Sequence, residues 1–306
     1  MRSYTEAEKC LLLLYALPGQ KLRESLYRKL FRAFSALGEE NSDRDAEVDE
    51  ASLCRLGCTP GEAAEILCRL SQRDVLEILL RNLDAKGIQI VTRISPDYPH
   101  KLRLRLGDRA PLILYCAGNT DLFSTRCICL VGSRQLREKG KAFAATAGDR
   151  IAALGYTYCS GGAKGADTVG YRAAIHAGGS GVIFLADSLE EAMAGSLYKK
   201  TLEEGRLLLV SEFGYDQSFS AQRALSRNRL IHAIGEKTLV AQSDYGSGGT
   251  WNGTMENLKQ GWSPVLVCNE EPEDAGAKGL IERGGTPVLT AELIRLEHLG
   301  QAQLSL

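Results

Sequence analysis

Histidine occurs only 4 times in the 306 residues, methionine 3 times and tryptophan 2 times. Net charge is almost missing as well, since 37 Lys and Arg against 38 Asp and Glu leave −1. A chain so balanced has no global pull toward a polyanion, so any nucleic-acid binding must use a local patch. Long apolar runs are lacking. The stretch around Leu11–Leu14 is far too short to span a bilayer. Glu6, Glu8 and Lys9 interrupt the place where a signal peptide needs its apolar core. The expectation is a cytoplasmic protein with no membrane partner. The 9 cysteines are odd in number and irregularly spaced, which reads as free thiols in a reducing compartment. Cys54, Cys58 and Cys68 gather loosely, but no nearby histidine completes the four ligands zinc needs, so no metal is expected. No internal repeat and no low-complexity segment interrupts the chain.

What is present is the composition of an ordinary globular protein, 44% hydrophobic and 25% charged, long enough for two domains. Residues 1–84 read as a small all-helical domain. AEKCLLLLYALPG is an apolar helix stopped at Pro18-Gly19. KLRESLYRKLFRAFSALG repeats Leu22, Leu26, Leu30 and Phe34 at helical spacing and ends at Gly38. An acidic loop follows. Thr59-Pro60 reads as N-cap and first position of another helix, and Ser71 to Asp74 as a capping box for VLEILLRNLDAKG. From 85 to 306 the pattern changes. IQIVTRI and PLILYCAG are β-rich, and then CICLVG, YTYC, GVIFLA, RLLLVSEF, KTLVAQ and PVLVC alternate with helices near 138–153, 166–177, 188–204, 221–234, 250–260 and 276–283. Strand runs that are apolar throughout and separated by helices predict an α/β fold: a Rossmann-like, doubly wound, mainly parallel sheet.

In such sheets ligands bind beyond the carboxyl ends of strands. Polar clusters sit at those positions. Gly132, Ser133 and Arg134 follow CICLV. CSGGAKGADTVGYRAA carries Ser160, Gly161, Gly162, Lys164, Gly165 and Asp167. Glu212 follows the RLLLVS strand, with Arg227, Asn228 and Arg229 on the next helix. SDYGSGGT ends in Ser247, Gly248, Gly249 and Thr250. Glycine lets another group approach the main chain, and a helix N-terminus offers free N–H groups and a positive dipole end, so these loops suit phosphate. Neither a Walker pattern nor a clean G-x-G-x-x-G is present. The plainer reading of the 159–174 loop is a turn that needs glycine for packing alone. Asp167 either caps backbone donors or holds a ligand hydroxyl or base. Two arginines flanking Asn228 cannot both face an apolar core. One is expected to pair with Glu212 or Asp244 and the other to reach phosphate, with Arg227 favoured for the ligand. Trp251 either stacks on a base or packs in the core, and the core is favoured. Cys127, Cys129 and Cys159 read as buried strand residues.

GSR, SGGAKGAD, SEF, RNRLI and SGGTW, in this order and spacing, resemble the DNA-processing protein A (DprA/Smf) family. SPDYPHKLRLRLGDRAPLILYCAGN resembles the segment leading into that family's Rossmann-like domain, and the helical N-terminus resembles its small helical domain. The resemblance implies a non-catalytic protein without a cofactor that binds single-stranded DNA, protects it during natural transformation, helps load RecA and acts as a homodimer. Ser133, Arg134, Ser160, Gly161, Lys164, Gly165 and Asp167 would form the phosphate pocket, with Arg227 and Asn228 in the family's RNR motif. Departures mark a divergent member. Gly170-Tyr171 stands where the family has Ala-His, Ala224-Leu225 replaces Phe-Pro, the glycine-rich segment and Tyr-Pro after the GVIFLA strand are absent, and no winged-helix tail follows.

GGTWNGTMEN also resembles, more distantly, the signature of nucleoside-monophosphate phosphoribohydrolases, where Glu256 with Arg134 or Arg227 would assist glycosidic cleavage. Trp-Asn is inserted in that signature. A nucleotide sensor is a further alternative on the same loops. A continuous basic groove across the pocket mouth would favour nucleic acid, and a closed, ring-sized pocket with Glu256 inside would favour nucleotide chemistry. Lys21, Arg23, Arg28 and Lys29 in LPGQKLRESLYRKL are either a solvated helix face or a helix-hairpin-helix-like (SAM-like) grip on DNA.

Overall fold

The computed structural model describes residues 2–17 and 49–300. The helix expected at 21–38, the acidic loop and the Lys21–Lys29 cluster lie outside them. The chain divides into two compact units, one of Met1–Pro96 with Pro111–Ile113 and one of Asp97–Ala110 with Leu114–Leu306.

In the first unit α1 spans Glu6–Tyr15, α2 Glu50–Arg55, α3 Pro60–Leu70, α4 Arg73–Ala85 and β1 Ile88–Thr92. Helix α1 starts at a capping box, Thr5 accepting from Glu8 N while Glu8 accepts from Thr5 N. Its Leu11, Leu12, Leu13 and Leu14 are all buried. Glu8 is buried too, and it is satisfied there because Thr92 Oγ1 donates to its Oε1 at 3.1 Å. Thr59 caps α3 with Pro60 at the first position, as its sequence predicts, and Glu62 closes a capping box. The box expected at Ser71 does not form. Gln72 is the N-cap of α4 and makes no side-chain cap bond, while Ser71 Oγ donates back to Cys68 O at 2.8 Å. A serine that finishes one helix by bonding its last turn is unavailable to start the next.

The second unit opens with α5 (His100–Leu106) and β2 (Ile113–Gly118). Then come β3 (Cys127–Val131), α6 (Glu138–Ala153), β4 (Thr157–Ser160), α7 (Ala166–His176) and β5 (Gly181–Leu185). Two short helices, α8 (Leu189–Ala194) and α9 (Lys199–Glu203), lead to β6 (Leu207–Ser211). The remainder is α10 (Ala221–Ile234), β7 (Lys237–Val240), α11 (Gly248–Gln260), β8 (Val265–Cys268), α12 (Ala275–Ile281) and β9 (Thr286–Val288). The strands lie in the order β2-β6-β5-β4-β3-β7-β8-β9. Only β2 runs antiparallel, against β6, and the neighbouring pairs from β6 through β9 are parallel. Every residue of β3 through β8 is buried, which is why these strands read as continuous apolar runs rather than alternating ones. Helices α6 and α7 pack on each other, as do α10 and α11. The single helix expected over 188–204 is two, separated at Gly195, which takes an extended conformation.

The order of strands locates the site. From β3 the chain steps to β4, β5 and β6 on one side. It then returns through α10 to β7 on the other side of β3. The connections leaving β3 and β7 therefore diverge, and a crevice opens between them at the switch point of the sheet. Among the described residues no helix is long and apolar enough to cross a membrane.

The two caps separate by experiment. Thr59→Ala should lower stability by about 1 kcal/mol. Ser71→Ala should stay within about 0.5 kcal/mol of the parent, because its hydroxyl caps no helix N-terminus and its bond to Cys68 O is exposed. Urea midpoints of the two variants check both.

Candidate functional site

The crevice is a cleft of about 830 Å³. Its walls come from the turn after β3, the start of α7, helix α10 and the loop between β7 and α11. Of the residues singled out by sequence, Gly132, Ser133, Arg134, Asp167, Arg227, Asn228, Ser247, Gly248, Gly249 and Thr250 line it. Ser160, Gly161, Gly162, Lys164 and Gly165 do not.

The second group forms the scaffold of the first. Ser160 is buried and donates to Leu130 O at 2.7 Å, stitching β4 to β3. Arg227 is only 6% exposed. Its Nη1 donates to the carbonyls of Gly161 and Phe184, beyond the ends of β4 and within β5. A Cβ on Gly161 would collide with that guanidinium. Gly165, at φ +83°, lies so close to the Ser133–Arg134 backbone that a Cβ would strike it, and Ala166 N donates to Ser133 O at 3.2 Å. The glycines of the 159–174 loop thus admit an arginine and a neighbouring turn of the protein itself. Lys164 is exposed, outside the cleft lining.

Asp167 resolves its two readings toward structure. Its Oδ2 accepts from Gly161 N at 3.2 Å and Ala163 N at 3.1 Å, holding the loop in shape from inside the first turn of α7. Burial pushes its carboxyl above the ordinary value, while the Arg227 charge and the backbone donors pull it back. Burial pulls the Arg227 guanidinium down in turn, and Asp167 and Asp187 hold its charge. Arg229 takes the pairing expected of one arginine. Its fork meets Glu212 at 2.7 and 2.6 Å, both side chains nearly buried. Asn228 Nδ2 donates to Gly249 O at 3.0 Å and so joins α10 to the start of α11.

The first turn of α11 is exposed at Ser247, Gly248 and Gly249, and the Ser247 side chain makes no cap bond. Its orphan N–H groups and positive dipole end face solvent. Arg134 is exposed on the turn after β3, its guanidinium 5.3 Å from the centre of the Phe219 ring, which is 51% exposed. Phe219 and Leu225 line the same cleft; Phe219 went unnoticed in the sequence, where one loop phenylalanine looks like any other. Gln242 also escaped notice. It accepts from Arg137 N at 2.8 Å and donates to Gln135 O at 3.2 Å, fixing the β3 and β7 loops to each other.

Trp251 is core, 8% exposed, with Tyr245 4.9 Å away and the Arg283 guanidinium 5.5 Å from its ring. Glu256 lies outside the cleft lining and pairs with Arg109 at 2.5 Å. The condition set for nucleotide hydrolysis, a closed pocket holding this carboxylate, is not met. All 9 cysteines are free. Cys127, Cys129 and Cys159 are buried, and burial pushes the Cys127 thiol up to about 12.

Comparison with known proteins follows from this geometry. The family model described as DNA recombination-mediator protein A matches residues 89–298. Protein Smf of Escherichia coli (strain K12) is 28% identical over 262 residues, 84% of this chain and 68% of Smf. The putative DNA processing protein DprA of Mycobacterium tuberculosis (strain ATCC 25618 / H37Rv) is 27% identical over 189 residues, 57% of this chain and 47% of that protein. DprA from Streptococcus pneumoniae superposes with a TM-score of 0.71 at 21% identity, over 95% of this chain and 96% of that one. DprA from Helicobacter pylori, described for its single-stranded DNA binding mode, gives 0.59 at 23% identity, over 71% of this chain and 99% of that one. Both likenesses confirm the Rossmann-like fold.

Two predictions rest on the buried groups. Arg227→Met removes the donor to two buried carbonyls and the charge that opposes Asp167, and should cost about 3–5 kcal/mol. Adding Asp167→Asn should cost less than the two single losses summed, as a double-mutant cycle in urea will read. His232 on α10 is 1% exposed, and burial pushes its imidazole from 6.5 down to about 3. Below pH 6.5 the unfolded chain takes up a proton that the folded one refuses. The stability present above that pH is therefore lost as pH falls toward 3, at up to about 1.4 kcal/mol per unit from this group. His232→Gln should flatten the urea midpoint against pH between 6 and 4.

Proposed function

Since the matched region covers more than half of it, the chain belongs to the DNA recombination-mediator protein A family, and from that premise we propose that its cleft binds single-stranded DNA. The observation that carries the proposal is Arg134 lying over the exposed Phe219 ring in the same cleft as the uncapped N-terminus of α11. A cation and a helix N-terminus meet phosphate oxygens, and an exposed aromatic gives an unpaired base a face to stack on. A duplex hides those faces, so the reading favours single strands. The single-stranded DNA binding described for the Helicobacter pylori relative supports it.

The family resemblance extends the proposal. The protein would shield incoming strands in the cytoplasm, act as a homodimer and hand the strand to RecA during transformation and recombination. That part is tested by whether it speeds RecA assembly on strands already coated with single-strand binding protein. No catalytic residue is assigned, because Glu256 is held by Arg109 away from the cleft.

The direct test is fluorescence anisotropy of labelled oligo-dT at low and moderate salt, with duplex DNA alongside. Arg134→Ala should weaken binding about tenfold and reduce the salt slope by about 0.7, the share of one phosphate contact on a single strand. Phe219→Ala should cost about 1–3 kcal/mol with the slope unchanged. Equal affinity for duplex and single strand, or no response to either substitution, would remove this cleft from DNA binding.

A further inference from the structure

Residues 132–137 connect β3 to α6, and the exposed Arg134 is carried on that turn. A surface turn left to itself holds many arrangements, and a long cation on it is spread over all of them. This turn is fastened from the neighbouring connection, after β7, by Gln242. The main-chain carbonyl of Gln242 accepts from Ser133 N at 2.9 Å. Its half-buried side chain spans the rest of the turn. Oε1 accepts from Arg137 N at 2.8 Å, and Nε2 donates to Gln135 O at 3.2 Å. A backbone N–H needs an acceptor and a backbone carbonyl a donor, so the two bonds together fix the orientation of the side-chain amide.

The same amide oxygen serves the helix that follows. Arg137 is the N-cap of α6 and makes no side-chain cap bond. Gln242 Oε1 stands in for one. A Cβ on Gly140, in the first turn, would lie 3.0 Å from it, so the oxygen sits over the positive end of the helix. From other directions Ala166 N donates to Ser133 O at 3.2 Å, and the Arg137 guanidinium pairs with Glu271 at 3.1 Å and with Asp274. The backbone is thus held on either side of Arg134, at Ser133 and at Gln135. A carboxylate at 242 would set an oxygen against Gln135 O, and an aliphatic side chain would leave both backbone groups without this partner.

We propose that Gln242 is a positioning residue for strand binding: by clamping the turn on both sides of Arg134 it holds that guanidinium over Phe219 before any ligand arrives. The proposal rests on the reading of the cleft as a single-strand site. A cation held in place loses less freedom on binding than one on a loose turn, so the clamp acts through Arg134 and needs no contact of its own with the strand. Gln242 also lines the cleft, and a direct contact is the competing account. The two accounts differ in additivity. A residue that works through Arg134 has nothing to contribute once Arg134 is gone.

The test is a double-mutant cycle in oligo-dT anisotropy on the full chain. Gln242→Ala, Arg134→Ala and the double variant are titrated over a range of salt, with urea midpoints to check that each folds. Gln242→Ala should weaken binding about fivefold and lower the salt slope by up to about 0.7, because the phosphate contact it loosens is the one Arg134 makes. The double variant should bind within about twofold of Arg134→Ala. Losses that add overturn the proposal, as does a Gln242→Ala variant that binds like the parent. If Gln242→Ala does not fold, Gln242→Met keeps the volume, loses both side-chain bonds and is read by the same criteria. If neither folds, amide exchange in the wild type decides. A turn set in advance slows the Arg137 amide in the free protein; slowing that appears only with oligo-dT overturns the clamp. A parent that does not bind oligo-dT removes the cleft reading and this proposal together, whereas binding with additive losses removes the proposal alone.

Discussion

One buried cation organises the second unit. The Arg227 guanidinium reaches from α10 to the carbonyls of Gly161 and Phe184, and Asp167 opposes its charge while clamping the loop amides of Gly161 and Ala163. Removing such a charge from water is expensive, and here the two carbonyls and the Asp167 charge offset the cost although Nε is buried without a partner. That arrangement explains the local sequence. Gly161 must lack a side chain because the guanidinium occupies its place, and Gly165 because the turn after β3 lies against it. The helix carrying Arg227 is pinned at its other face by Arg229 and Glu212. Cleft walls drawn from several separate connections are in this way held in one fixed arrangement.

A division of labour follows. The interior cation shapes the cleft and has little charge left to offer a ligand. Groups that can meet an anion stand at the surface, where Arg134 is exposed and the first turn of α11 is uncapped. Below them the polar groups are neutral, with Asn228 tied to Gly249 and the buried His232 beside Thr238. Exposed cations suit phosphate.

The doubly wound sheet was legible in the sequence because β3 to β8 are buried on both faces and therefore apolar at every position. Strand β9, with only Val288 buried in its three residues, gave no such signal. The loops that line the cleft were legible too, since the placement rule for parallel sheets needs only strand order. So was the pairing of one RNR arginine with Glu212, which Arg229 makes, whereas Arg227, expected to reach a ligand, is buried on two carbonyls of the protein itself. What separates them is the angle each takes around α10, whose observed span matches the expected 221–234 while the elements facing each side chain are set by tertiary packing. His232 also escaped, because on an apolar helix face a lone histidine reads as filler, and only the tertiary structure places it against Thr238.

The charge inventory of the cleft limits how it can hold a polyanion. Among the described residues lining it, Arg134 is the exposed cation, Arg227 is committed inside, and Asp167 and Asp244 are acidic. With the whole chain at −1, its net charge adds no global attraction. A binder that works by charge alone neutralises many phosphates and loses affinity steeply with salt. This cleft can neutralise few. If the cleft holds a strand as proposed, the free energy must come mainly from the faces of bases, through Phe219 at an exposed position. Such contacts exist only where bases are unpaired, so a preference for single strands and a shallow salt dependence would share one cause.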